Sequence, residues 1–269
     1  FFFFFSSGFR CLVAAAVTAV AAFGVSAQAD EMADIKAAGV INVGIFPDFP
    51  PFSSVAADMS TVGYDVDVAN DIGKVLGVKV KLVPINGQNR IAFLNDKRVD
   101  MLMSVGYSDE RAQAIGFAGA YAPYYIAVIG PQATKIEGPA DMAGKTIAVN
   151  QGTLEDTSLT KAAPETATIR RFPNYAAVIQ AFISGQTDLM AVGNNVGAQV
   201  LEKQTALKPE DKFQLMSSPS HIAVRKGEDA LISTIDGAIK TMIDDGTLNA
   251  ASEKWLKTPM KVENLQTKN

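Results

Sequence analysis

The sequence predicts an α/β protein of two similar lobes, each a mostly parallel sheet flanked by helices. Three observations carry this. Short apolar runs alternate with segments of helical period; the order strand-helix-strand-helix-strand occurs twice; and the two halves match in detail. In the first half Ile41–Phe46 reads as a buried strand. Tyr64, Val68, Ala69, Ile72, Val75 and Leu76 then recur at helical spacing until Gly77 stops the helix. Val78–Val83 is the next strand, Asn89–Asn95 a short helix and Val99–Ser104 a third strand. In the second half Lys145–Asn150, Thr166–Phe172 and Asp188–Val192 read as strands, with helices over Thr153–Ala162 and Asn174–Ser184 between them. Such alternation implies parallel strands with helices on the sheet faces.

The match between the halves extends to single residues. Val83-Pro84 precedes Ala92-Phe93-Leu94 and Asp100-Met101, as Phe172-Pro173 precedes Ala181-Phe182-Ile183 and Asp188-Leu189. The spacing from Pro to Ala is eight in both. A strand at Ile222–Arg225, a long helix at Asp229–Asp244 and a last helix at Leu248–Leu256 have no counterpart after the first half. The economical topology returns them to the first lobe, so that the chain crosses between lobes twice and makes a hinge.

Composition narrows the function. A chain of 269 residues with 48% hydrophobic and 19% charged residues can bury a full core. The formal net charge is -4, and Lys and Arg are scattered, which argues against a nucleic-acid partner. Arg10, the apolar run Cys11 to Val25 and the small residues of Ser26-Ala27-Gln28-Ala29 read as a signal peptide over residues 1–29, cleaved after Ala29. The competing reading, an uncleaved anchor, has an apolar stretch short of the roughly 20 residues a span needs. The Phe1–Phe5 run lacks the basic character of a leader and is left out of the fold reading. Cleavage removes Cys11, the only cysteine, and leaves one histidine, His221, in an apolar stretch. No catalytic residue, metal site or cofactor is expected from so few ligands.

Open parallel sheets bind ligands beyond the carboxyl ends of their strands, and two lobes place a cleft there. Gln151-Gly152-Thr153 leads into a helix, and Ser104 to Ser108 follows a strand end and reaches Arg111; both loops can cradle an anion. Arg111 either grips a ligand carboxylate or pairs with Asp109 or Glu110 on a solvated helix. Phe46, Phe49 and Phe52, stiffened by Pro47, Pro50 and Pro51, either wall a ligand or close the core, and Phe52 is assigned to the core. Asp65 and Asp67 suit the start of the first helix. Glu155 and Asp156 do the same for theirs, or meet an ammonium group beside the anion loop.

These residues resemble the periplasmic solute-binding proteins for polar amino acids, family 3, whose members include lysine/arginine/ornithine- and glutamine-binding proteins. The motifs are Val43-Gly44 with Pro50-Pro51-Phe52, Gly63-Tyr64-Asp65-Val66-Asp67-Val68-Ala69, Val99-Asp100 to Arg111, Gly144-Lys145 to Gly152, Ile222 to Lys226, Asp245-Gly246-Thr247-Leu248 and Lys254-Trp255. They run in the family's order over about residues 34 to 258. The resemblance implies the type II periplasmic-binding-protein fold. Lobe 1 would comprise 30–122 and 220–258, lobe 2 127–215, the hinge 123–126 and 216–219, and a tail 259–269. It implies a monomeric periplasmic receptor that captures an amino acid or close analogue and serves the membrane permease of an ABC importer. Arg111 would hold the ligand carboxylate, with N–H groups at Gly106, Thr153 and Leu154. Ser104 would approach the amino group, Phe49 would act as a lid beside Phe46, and Gly152 would shape the loop.

The departures concern the ligand. The family's ammonium-binding aspartate, five residues after Asp188, is Gly193 here, followed by Asn194 and Asn195. The Ser or Thr at the Gly106 position is lost, Gly87 stands for an aromatic, and Arg90 stands where a leucine is common. An ammonium then needs Glu155, Asp156 or Asn194 as acceptor, or the ligand has no α-amino group. The alternative function is an enzyme on the same fold resembling cyclohexadienyl dehydratase, with Glu155 as its general acid.

Overall fold

The computed structural model describes residues 31–203 and 207–266. The leader expected at 1–29, its cleavage site and Cys11 lie outside these residues.

In chain order the elements are α1 (Glu31–Ala38), β1 (Val40–Ile45), β2 (Asp48–Phe49), β3 (Ser53–Val55), β4 (Thr61–Val62), α2 (Tyr64–Leu76), β5 (Lys79–Pro84), α3 (Arg90–Asn95), β6 (Met101–Gly106), α4 (Asp109–Ala114), β7 (Ile115–Ala122) and β8 (Tyr125–Pro131). There follow β9 (Thr146–Asn150), α5 (Leu154–Ala162), β10 (Thr168–Phe172), α6 (Tyr175–Ile183), β11 (Leu189–Gly193), α7 (Asn194–Lys203), β12 (Pro209–Ser217), β13 (Ser220–Arg225), α8 (Asp229–Asp244) and α9 (Thr247–Trp255).

Two five-stranded sheets form, in the orders β5-β1-β6-β13-β7 and β10-β9-β11-β8-β12, with a small β2-β3-β4 sheet beside the first. Each large sheet is mixed. Four strands of each run the same way and one runs against them, β13 in the first and β8 in the second, so the sheets are mostly parallel in direction, as expected. β7, β8 and β12 are strands that the repeat pattern does not contain.

The chain passes from the first sheet to the second between β7 and β8 and returns between β12 and β13. The two crossings touch, with Ser218 N–H donating to the Tyr124 carbonyl at 3.1 Å.

Local chemistry explains most elements. Gly77 ends α2 at φ 72°, a left-handed conformation that glycine adopts without cost, while its N–H is held by helix carbonyls. Asp100 and Asp188 play the same part in the two sheets. Asp100 Oδ2 accepts from Asn42 N at 2.7 Å and Asp188 Oδ2 from Thr146 N at 2.7 Å, so each carboxylate pins the central strand before the third begins. This pinning is why β6 and β11 start one or two residues later than the apolar runs suggest.

The main core joins α2, α8 and α9 to the first sheet and includes Ile41, Phe52, Tyr64, Ile72, Leu102 and Ile222. Phe52 is fully buried there, as expected. A smaller core of Val128, Met142, Ile147, Val149, Leu159 and Leu189 lies in the second lobe.

Candidate functional site

The carboxyl ends of β1 and β6 face the N-terminal end of α5 across the gap between the sheets. There Phe49, Arg90, Ser104, Gly106, Arg111 and Ser220 of the first lobe meet Leu154, Glu155 and Tyr175 of the second, with Tyr124 on the crossing strand. They enclose a cavity of about 20 Å³, room for little more than one water molecule.

Arg111 is turned inward and is 8% exposed. Ser108 caps α4 by accepting from Arg111 N at 3.3 Å, which fixes where the side chain starts. Its Nη1 donates to Gly106 O at 3.0 Å and Nη2 to Gly152 O at 3.5 Å, so it reaches both lobes. Neither Asp109 nor Glu110 pairs with it, and it forms no ion pair among the described residues. Burial first, and the charge of Arg90 second, lower its pKa to about 9, so it stays cationic at neutral pH.

Ser104 lines the cavity with a left-handed backbone, φ 54°. Its hydroxyl donates to Asp65 Oδ2 at 2.7 Å, and its N–H donates to the Tyr121 hydroxyl at 2.9 Å. Tyr121 in turn donates to Asp65 Oδ1 at 2.5 Å. Asp65 therefore does more than complement a helix dipole: it fixes the serine from below. Burial raises its pKa to about 6 despite both hydrogen bonds.

Phe49 stacks on Tyr175 at 4.4 Å between centroids and on Phe52 at 5.0 Å. Phe46 lies behind, 5.6 Å from both Phe49 and Tyr175, and does not line the cavity. Asp48 Oδ2 accepts from Ala176 N–H at 2.8 Å beside the stack. These contacts join the lobes beside the crossing strand, whose Tyr124 ring lies 6.2 Å from Phe49 and 5.8 Å from Phe52.

The second lobe departs from the sequence reading in detail. Gly152 turns at φ 76°, but its N–H donates to Asp156 Oδ2 at 3.1 Å, and Thr153 N–H donates to Asn150 O at 3.4 Å. Two of the N–H groups expected to cradle an anion are thus engaged within the loop. Thr153 serves as the cap of α5, accepting from Asp156 N at 3.4 Å. Asp156 is drawn away by Arg171, whose Nε donates to it at 2.8 Å. Asn194 accepts from Tyr125 N at 3.1 Å and lies outside the cavity lining. Of the three acceptors named for an ammonium, only Glu155 is in the cavity. Tyr124 and Tyr175 donate to its Oε1 at 2.5 and 3.1 Å, which leaves Oε2 unengaged.

The glycine substitutions have steric causes. A Cβ on Gly106 would fall 2.5 Å from Leu154 Cδ2, and one on Gly193 would fall 2.0 Å from the Tyr124 hydroxyl oxygen. Gly87 packs its backbone against the second lobe, where a Cβ would come 2.3 Å from Gln151 O. Tyr124, Tyr175 and Ser220 were not singled out in the sequence, and Arg90 was noted there only as a departure at a position where a leucine is common, without a role in the site. The available signal was Arg90 four residues before Leu94, a charge on the buried face of α3.

A broader groove of about 910 Å³ runs beside the cavity from Tyr107 and Ser108 past Arg111 to Ser158, Lys161 and Met216. Arg111 borders both spaces.

Two mixed α/β lobes, crossed twice by the chain and closing on a buried cation, define a two-lobed solute-binding protein. Residues 41–258 match the family model of bacterial extracellular solute-binding proteins, family 3, and the chain belongs to that family. It is 30% identical over 248 residues to the L-cystine-binding protein TcyJ of Escherichia coli, covering 89% of this chain and 92% of that protein. It is 25% identical over 260 residues to a cyclohexadienyl dehydratase of Pseudomonas aeruginosa, covering 93% and 95%. The solved structure of a solute receptor for L-cysteine from Neisseria gonorrhoeae superposes with a TM-score of 0.78 at 31% identity, covering 84% of this chain and 93% of that one.

Proposed function

We propose that the chain is an extracytoplasmic receptor of an ABC importer that binds an amino acid or close carboxylate analogue between its lobes, without turnover. One observation carries the reading: a buried guanidinium, Arg111, without an ion pair among the described residues, faces the interlobe cavity. An unpaired buried cation is costly unless something compensates it, and a carboxylate does so with two parallel hydrogen bonds. Relatives that bear amino-acid-binding names support the ligand class.

The geometry suggests how capture works. With Phe49 on Tyr175 the cavity is too small for an amino acid, so the lobes must part about residues 123–126 and 216–219 before a ligand enters. Closure then buries Arg111 and Glu155 against the ligand, and the closed surface of both lobes is what a permease reads. Export with cleavage after Ala29, a monomeric state and the lobe boundaries given above belong to this reading.

Thermal-shift measurements with the twenty amino acids and related carboxylates test it. A ligand at about 100 times its Kd adds about 2.7 kcal/mol of stability; no shift with any of them would refute the reading. The dehydratase alternative is tested by incubation with prephenate or arogenate. Product formation would reverse the choice.

A further inference from the structure

We infer that Arg90 is a second carboxylate subsite, and that the ligand is an acidic amino acid carrying two carboxylates and one ammonium. The inference rests on the interlobe cavity being the ligand site, and it starts from a side chain that the fold does not explain. Arg90 is 3% exposed, yet its Nε has no partner and it forms no ion pair among the described residues. The one hydrogen bond of its side chain runs from Nη1 to Ser104 O at a long 3.3 Å, and its guanidinium lies 5.6 Å from the Phe46 centroid. It opens α3, where the helix dipole disfavours a cation. Burial is the dominant effect on this arginine and opposes its charge, while the nearby Tyr175, Glu155 and Tyr124 offset it only in part and none of them pairs with it. Such a conflict between local rules and sequence is expected at a site whose partner arrives from outside.

Charge counting selects the partner. The cavity lining holds two guanidinium groups, Arg90 and Arg111, and one carboxylate, Glu155. Asp65 is the next acid, but it does not line the cavity, and its two oxygens accept from Tyr121 and Ser104. The lining is therefore one positive charge in excess, and a ligand of net charge -1 balances it. An amino acid with a side-chain carboxylate offers the matching set, one carboxylate to each arginine and an ammonium to Glu155 Oε2. A neutral amino acid leaves Arg90 unpaired, and a cationic one adds a further positive charge.

The test is calorimetry with L-glutamate, L-aspartate, L-glutamine, L-asparagine, L-arginine and L-cystine on the mature protein and on Arg90→Met. In the wild-type protein an acid is expected to bind at least about 30-fold more tightly than the amide of the same shape, the scale of a lost buried charge pair. Arg90→Met should reduce that ratio to about 3-fold or less, mainly by weakening the acid. Glutamine binding as tightly as glutamate, or a preference that survives Arg90→Met, overturns the inference. So does binding of L-cystine or L-arginine in place of the acids. The wild-type comparison decides the matter even if Arg90→Met does not fold. Binding of neutral or basic amino acids alone removes only this inference; binding of no amino acid removes the receptor reading beneath it.

Discussion

The Tyr124 ring occupies the space in which a side chain at residue 193 would begin: a Cβ there would lie 2.0 Å from the phenolic oxygen. The same hydroxyl donates to Glu155 Oε1 at 2.5 Å. The carboxylate in the cavity is thus the one that Tyr124 holds, and glycine at 193 is the condition for Tyr124 to be there. Gly193→Asp should lower stability by at least about 1–3 kcal/mol, the usual scale for overpacking. Tyr124→Ala in the same chain should recover part of the loss. Urea unfolding of the single and double variants measures both. A Gly193→Asp protein as stable as the wild type would contradict the steric account.

Two of the buried arginines, Arg225 and Arg111, invite contrast. Arg225 donates from Nη1 to Leu94 O at 2.9 Å and Val99 O at 2.8 Å, and it pairs with Glu31. Arg111 has two carbonyl contacts and no ion pair among the described residues. Arg225→Ala should therefore cost about 3–5 kcal/mol of stability. Arg111→Ala should change the stability of the empty protein far less and instead remove about 2–5 kcal/mol of ligand affinity. Unfolding curves and calorimetry on the same two variants separate the roles.

Asp65 gives a pH signature. Its folded-state pKa near 6 lies above the ordinary 3.8, so the native state holds its proton more tightly than the unfolded chain does. The stability this contributes is fully present below about pH 3.8 and is lost as pH rises through about 6. On going from pH 4 to pH 7, Asp65→Asn should gain on the wild type by about 2 kcal/mol, because each tenfold difference in proton affinity is worth about 1.36 kcal/mol and the unfolded carboxyl is already partly ionised at pH 4. A wild-type minus variant difference that does not change with pH would show that Asp65 titrates normally.

The Phe49–Tyr175 stack is a latch between lobes. Phe49→Ala removes one aromatic pair across the gap, worth about 0.5–1.5 kcal/mol beyond burial. Because a ligand enters only once the stack parts, its association should accelerate about 3- to 10-fold on that scale, while Arg111 remains in place. Stopped-flow binding measures this, and small-angle scattering should show a more open empty protein. An unchanged scattering profile and association rate would mean that the stack plays no part in closure.

Elements with a strong local signature were legible in the sequence. The helices α2 and α8 fall where the 3.6-residue period and the flanking Gly and Asp residues place them, and the paired Asp100 and Asp188 exposed the internal repeat. The strands β7, β8 and β12 were missed. β7 and β8 are small or apolar with little alternation, β12 is largely polar, and their direction follows from where the chain crosses between sheets.

The candidate site divides in the same way. Ser104, Gly106, Arg111, Phe49 and Glu155 could be named from strand ends and a helix start, Leu154 was implied by the family resemblance, and all six line the cavity. Periodicity left open whether Arg111 faced solvent, and it offered no reason to group Arg90 with Tyr124 and Tyr175.

By itself the sequence determined the alternation of strands and helices, the duplication and the residues at each strand's carboxyl end, because those depend on neighbours a few positions apart. Only the tertiary structure decided which charges share the cavity. Arg90, Arg111 and Glu155 meet through the placement of one sheet against the other, a relation between residues dozens of positions apart that no local pattern encodes.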